Sequence, residues 1–334
     1  MSWFALLAAV LVACQVAALP LEAEHVNTLA SRDPARCTSL NKRVNWNTLS
    51  TAQRESYFDA VKCLKTKPSR SGIEASQNLF DDFPSIHVQQ DHHIHSVAAF
   101  LPWHRRFVQA RERALQSCGY TGPTPYWDWT EAADTGKPEV DPIFSVETGF
   151  GGNGDANEQE AVTQGPFSWF ALDIMQDDND EPTFETHVLR RNFNDDPYLV
   201  GNFNSTAVKK AQSISSFNDY RYYVEGVPHG AVHQYIAGDM GPSSSPNEPL
   251  FFLHHAQIDR LWALWQDQNP SERLSDYKGN LPGANTLTGP FNAKIDDMLP
   301  SFGNLIDQVP VRNVMNTRAG DLCYEVSLGL NFGK

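Results

Sequence analysis

Residues 228–266 read PHGAVHQYIAGDMGPSSSPNEPLFFLHHAQIDRLWALWQ and hold four of the chain's eleven histidines. His229 and His233 are four apart, which on a helix stacks both imidazoles on one face about a turn from each other, the spacing two ligands of one metal need. Gly238 is placed to end that helix, and a loop rich in Ser, Pro and Asn follows. LHHAQIDRLWALWQ then predicts a second helix, with Ile258, Leu261, Trp262 and Trp265 as its apolar stripe. His254 or His255 closes the set at three, and spacing does not choose between them. A lone His-x-x-x-His is weak evidence, because core histidines with satisfied ring nitrogens are common.

A second set changes its weight. IHVQQDHHIHSVAAFLPWHRRF places His87, His95 and His104 eight and nine apart, with His92 and His93 between them. Two clusters of three imidazoles in one chain imply two metals with similar shells, and imidazole suits copper, zinc, iron and nickel. The zinc-protease pattern His-Glu-x-x-His is missing, since Gly230 follows His229, and neither array has a carboxylate at the position of a hydrolytic base.

FLPWHRRF at 100–107, PYWDWT at 125–130, PHGAVH at 228–233 and SPNEPLFFLHHAQIDRLWALWQ at 245–266 together resemble the tyrosinase and catechol oxidase family of type 3 copper proteins. The resemblance implies a mainly α fold, a four-helix bundle around a dinuclear copper centre, with extensive loops and a few short strands. It implies two copper ions as cofactors, one held by His87, His95 and His104, the other by His229, His233 and His255. By spacing alone His254 rivals His255, and His92 or His93 rivals His87, whose surroundings read as an irregular loop.

The implied activity is oxidation of a small aromatic substrate, an o-diphenol or a related o-aminophenol or hydroxyindole, to a quinone with O2 as co-substrate reduced to water, in some members for pigment. Glu225, four residues before His229, matches a glutamate that in related enzymes holds a water near the second copper. Family members that hydroxylate monophenols well often carry Asn after the first histidine of this set; Gly230 supplies no side chain there, so monophenol hydroxylation is expected to be weak or absent. Asp259, one turn after His255, is either a hydrogen-bond acceptor behind that ring or an arginine's ion partner. A full tyrosinase is the alternative enzyme reading, hemocyanin-like O2 carriage the non-enzymatic one, and a hydrolytic dizinc site a remote further one.

The rest of the chain fits this frame. Residues 1–18 are apolar and uncharged and predict a signal peptide with cleavage before Leu19, hence secretion; 19–36 is an N-terminal extension and 37–334 the catalytic domain. Family resemblance places the end of the catalytic core near Tyr324, so no C-terminal lid domain is expected. A net charge of −14 argues against nucleic acid and anionic membranes as partners. With Cys14 in the signal, Cys37, Cys63, Cys118 and Cys323 remain for two disulfides, with three pairings open. Some relatives bond a cysteine to the second histidine of the first copper; His93 occupies that place, so His95 is expected unmodified.

Local patterns complete the reading. A Ser50-x-x-Gln53 capping box opens a helix with Tyr57, Phe58, Val61 and Leu64 on one face. His104 opens another, with Phe107, Ala110, Ala114 and Leu115 inward and Arg105, Arg111, Glu112 and Arg113 outward or paired locally. Residues 183–193 and 205–224 are further helical candidates, His187 in the first being a surface or satisfied histidine. The glycine-rich 149–160 reads as a mobile surface loop, 322–328 as a strand, and Asn204-Ser-Thr as the one N-glycosylation sequon. Trp127 and Trp129 are expected to wall the bundle, with Asp128 either behind a histidine or capping a helix.

Overall fold

In the computed structural model, which describes Met1 and residues 37–327, the core is built on helices. Strand β1 (Asn41–Asn45) leads into α1 (Thr51–Cys63), α2 (Asp82–Ile94) and α3 (Phe100–Ser117). Strand β2 (Pro125–Tyr126) and the short α4 (Thr130–Asp134) precede a hairpin of β3 (Ala171–Gln176) and β4 (Pro182–Val188). Then come α5 (Pro197–Gly201), α6 (Ser205–Ser213), α7 (Phe217–Val224), α8 (Gly230–Ile236), α9 (Phe251–Asp267), α10 (Pro270–Arg273) and β5 (Tyr324–Val326). The mainly α expectation is met. The proposed signal peptide and extension lie outside the described residues, and among those described no helix is long and apolar enough to cross a membrane.

Helix α9 is the axis. Every residue from Phe251 to Gln266 is buried, so this segment has no solvated face, unlike the amphipathic helices around it. Helix α3 packs along it, and burying side chains such as Phe107 and Leu261, both fully enclosed, contributes about 1.5–3 kcal/mol each. Helix α1 carries the predicted capping box, Ser50 and Gln53 bonding reciprocally, and buries Tyr57, Phe58 and Val61. Disulfide Cys63–Cys118 ties its end to the end of α3, and Cys37–Cys323 joins the flanks of β1 and β5 in the three-stranded sheet. There β1 is central and parallel to both neighbours, with Val44 opposite Pro125 and Asn41 opposite Tyr324.

Several local expectations are corrected. Helix α3 starts at Phe100, four residues before His104, and Arg105 and Arg111 are buried rather than solvated. Arg105 reaches Asp259 and the carbonyls of Val314 and Met315, while Arg111 lies against the faces of Phe83 and Phe252. Residues 183–193 form no helix: Pro182–Val188 is a strand, its Phe184 paired with Ile174 of β3. The 205–224 candidate is two helices, because Ile214 leaves helical geometry and Ser216 caps a new start. The glycine-rich loop is pinned over its first half, where buried Arg191 donates to the carbonyls of Phe150, Gly151 and Gly152. Asn204 uses its side chain to cap α6 through the Ala207 amide, 3.0 Å away. Strand β5 and the buried Trp127 and Trp129 are as expected.

Candidate metal centre

Four helical segments deliver the histidines. His87 lies in the middle of α2, correcting the expected irregular loop; His95 is the residue on which that helix ends; His104 is on α3. His92 and His93, the rivals for the first set, are exposed. His229 closes a π-helical turn, Glu225–His229, that joins α7 to α8. Pro228 sits inside it, and a proline there has no N–H to give to an α-helical bond, a recognised origin of such widened turns. His233 follows one turn on, and α8 ends at Ile236, with Ala237 and Gly238 both at positive φ. His254 and His255 lie in the first turn of α9.

The donor atoms converge into two groups, His87, His95 and His104 in one and His229, His233, His254 and His255 in the other, each with its ring nitrogens within 4.8 Å of one another. The groups face each other: His104 stacks on His255 at 4.3 Å between ring centroids, and His95 lies 6.4 Å from His229. Phe100 and Phe251 fill the space between the rings, Phe100 4.8 Å from His229 and Phe251 5.2 Å from His87.

Tautomers follow from what lies behind each ring. The Nδ1–H of His87 donates to the Ser243 carbonyl at 2.6 Å, that of His104 to Phe100 at 2.8 Å, that of His229 to Glu225 at 2.9 Å and that of His233 to Met240 at 2.7 Å. In a neutral ring the other nitrogen then carries a lone pair. His87 Nε2 and His104 Nε2 lie 3.3 Å apart as two acceptors with no proton between them, and the Nε2 atoms of His229, His233, His254 and His255 are buried without a partner. Burial and the neighbouring rings hold these imidazoles neutral, His87 down to about 3, His233 to about 4, and His104, His229 and His255 well below the ordinary value. Buried lone pairs pointed at one another call for an electron-pair acceptor or a donor among them, and a metal cation serves several imidazoles at once. The all-imidazole donor set fits copper.

His254 and His255 differ in chemistry. The Trp129 Nε1–H donates to His254 Nδ1 at 3.2 Å, so in the neutral ring the His254 proton sits on Nε2 and that nitrogen has no lone pair for a metal. Both nitrogens of His255 are free of hydrogen bonds.

Asp259 is not behind a histidine. Its carboxylate takes Arg43, Arg105 and the Tyr324 hydroxyl, which corrects the first of its two sequence readings and supports the second. Asp128 likewise serves the scaffold, accepting from Thr130 N–H in the first turn of α4 and from Gln257 and Arg260 of α9. His187 is satisfied by Asp239 at 2.6 Å. Glu225 accepts from the Ser96 amide and from Arg221 Nη1 at 3.2 Å, and burial pushes its carboxyl up. It lines a cleft of about 280 Å³ with Ser96, Tyr222, Tyr223, Gly226, Val227 and Thr286. At Gly230 an added Cβ would meet the Glu225 carbonyl at 3.4 Å, ordinary contact. Sequence reading missed Phe100, Phe251 and Asp91, the last at 2.8 Å from His95 Nδ1, and gave Trp129 a place in the wall but not its bond to His254; among the missed residues only Asp91, four residues before a histidine, carried a visible signal.

The common central domain of tyrosinase matches residues 77–268, a span that takes in both histidine groups. The chain belongs to the tyrosinase family. It is 36% identical over 323 residues to the tyrosinase-like protein phomQ1 of Diaporthe leptostromiformis, covering 89% of this chain and 80% of that one. It is 29% identical over 351 residues to the N-acetyl-6-hydroxytryptophan oxidase ivoB of Emericella nidulans, covering 89% and 95%. A polyphenol oxidase structure from Thermothelomyces thermophila superimposes with a TM-score of 0.76 at 31% identity, covering 88% of this chain and 91% of that one. This tyrosinase-family chain is therefore an oxidoreductase of the class that acts on small aromatic molecules, and its fold is the family's.

Proposed function

We propose that the chain is a dicopper oxidase of o-diphenols, or of related o-aminophenols and hydroxyindoles, with weak or no hydroxylation of monophenols. The observation that carries this is the convergence of two facing groups of ring nitrogens, in which His87, His104, His229 and His233 each present an Nε2 lone pair. His87, His95 and His104 would hold one copper, and His229, His233 and His255 the other. His255 rather than His254 completes the second set because Trp129 occupies His254 Nδ1. Copper supplies the electron exchange with O2; two o-diphenols each lose two electrons and two protons, and O2 leaves as two waters.

What the chain's own groups do can be stated separately. Backbone carbonyls behind His87, His104, His229 and His233 fix the tautomer that presents Nε2. Phe100 and Phe251 pack the space around the rings and exclude water. Glu225, steadied by the Ser96 amide and Arg221, lines a cleft beside Ser96, the residue after His95, and its carboxylate would accept the proton of a phenol entering there. Gly230 offers no polar side chain beside it. The hydroxyindole branch is supported by the likeness to a hydroxytryptophan oxidase. The two disulfides and the apolar residues 1–18 support secretion.

The test is O2 consumption by copper-loaded protein with a catechol and, separately, with its monophenol counterpart. Uptake with the catechol alone supports the proposal. Uptake at comparable rates with both makes the chain a full tyrosinase, and uptake with neither removes the o-diphenol reading.

A further inference from the structure

The two histidine groups are backed unequally. His87, His104, His229 and His233 each donate Nδ1–H to an uncharged backbone carbonyl. His95 instead meets a carboxylate, Asp91 Oδ1 at 2.8 Å. The cause is where α2 stops. His104 and His229 sit within continuous helical turns and bond the carbonyl four residues back. His95 has left the helix for extended geometry, φ −113° and ψ 148°. The His95 backbone N–H still bonds the Asp91 carbonyl at 3.0 Å, while in this extended geometry its ring meets the Asp91 side chain.

The acceptor for His87 Nδ1–H, by contrast, is the uncharged Ser243 carbonyl. Among the described residues no carboxylate bonds to a ring of the second group; Asp259, the acid nearest to His255 in sequence, is engaged by two arginines and a tyrosine.

We propose that Asp91 is the positioning residue that sets the copper affinity of the His87, His95 and His104 group and makes the two metal positions chemically unequal. This rests on the dicopper reading above. A carboxylate behind an imidazole fixes its tautomer, raises the basicity of the far nitrogen and offsets part of the metal's charge, whereas a neutral carbonyl does little beyond the first. Loss of such partners typically costs about 10–100-fold in metal affinity.

The experiment titrates copper-loaded full-length protein with a chelator of known copper affinity, counting copper per chain, and records the melting temperature of the metal-free protein. Asp91→Asn keeps an oxygen acceptor for His95 but loses the charge; it should release one copper at a chelator concentration about tenfold lower than wild type, and Asp91→Ala at about a hundredfold lower. The other copper and the metal-free melting temperature of Asp91→Asn should not change. In a His233→Ala background, where the remaining copper sits in the first group, Asp91→Asn should shift the whole curve. A wild type that holds two coppers while both Asp91 variants release them as wild type does overturns the inference alone. So does a lowered metal-free melting temperature with unchanged release, which would make Asp91 a helix-end residue. A wild type that binds no copper overturns the dicopper reading and this inference with it.

Discussion

Gly230 and His255 are the single residues on which the chemistry turns most directly. The space at Gly230 admits a side chain, since a Cβ there makes only ordinary contact with the Glu225 carbonyl. Gly230→Asn should therefore fold, and by placing an amide beside the Glu225 carbonyl and Gln234 it should raise the ratio of monophenol to o-diphenol turnover by about tenfold or more, read from O2 uptake on a matched substrate pair. At the neighbouring pair, the roles proposed for His254 and His255 rest on Trp129. His255→Ala should leave one tightly held copper per chain, whereas His254→Ala should keep two and weaken the second by about tenfold, measured by copper content after dialysis against chelator. Equal losses in both variants would remove the tautomer argument.

Helix α9 carries more than its histidines. Asp259, one turn beyond His255, is buried against Arg43 of β1, Arg105 of α3 and Tyr324 of β5, so a single carboxylate joins both termini of the described fold to the central helix pair. Burial alone would push its carboxyl up; Arg105 and Arg43 more than offset this and hold it below the ordinary value. Asp259→Asn leaves two buried guanidinium groups short of their counter-charge and should lower unfolding stability by about 3–5 kcal/mol. Denaturant titration of the metal-free variant measures it, and copper binding by the folded fraction should persist because no histidine is touched. The π turn at Glu225–His229 belongs to the same scale. Its wider register brings both the Gly230 amide and His229 Nδ1 to one carbonyl, that of Glu225, which links the cleft carboxylate's backbone to a metal-facing ring.

Across the whole molecule, the Cys37–Cys323 bridge closes a span of 286 residues, beside the parallel pairing of β1 with β5. The bridge limits the unfolded chain far more than it shapes the metal centre. Replacing both cysteines with serine should cost about 2–5 kcal/mol of stability, seen as a lower melting temperature with copper content per chain unchanged. A loss of copper in parallel would mean that β1 and β5 brace the histidine groups more tightly than their contacts indicate.

What the sequence determined by itself is what local spacing encodes. His229 and His233 share a helical face, Ser50 and Gln53 close a capping box, and the apolar stripe of Ile258, Leu261, Trp262 and Trp265 goes to the centre. The six histidines were legible because two dense clusters are improbable without a metal. Their order along the chain matched a known family. Tertiary structure decided everything that depends on partners far apart in the chain. Arg105 and Arg111 read as solvated because charge on a helix usually is; their carboxylate, carbonyls and aromatic faces come from segments more than a hundred residues away or from other helices. Residues 183–193 looked helical, but β3 was there to take them as a strand. The choice between His254 and His255 needed Trp129, 125 residues upstream. The pairing of four cysteines and the placing of Asp259 among arginines likewise required the ends of the chain to meet. Spacing reports which side chains share a local face, and only the folded chain reports what that face meets.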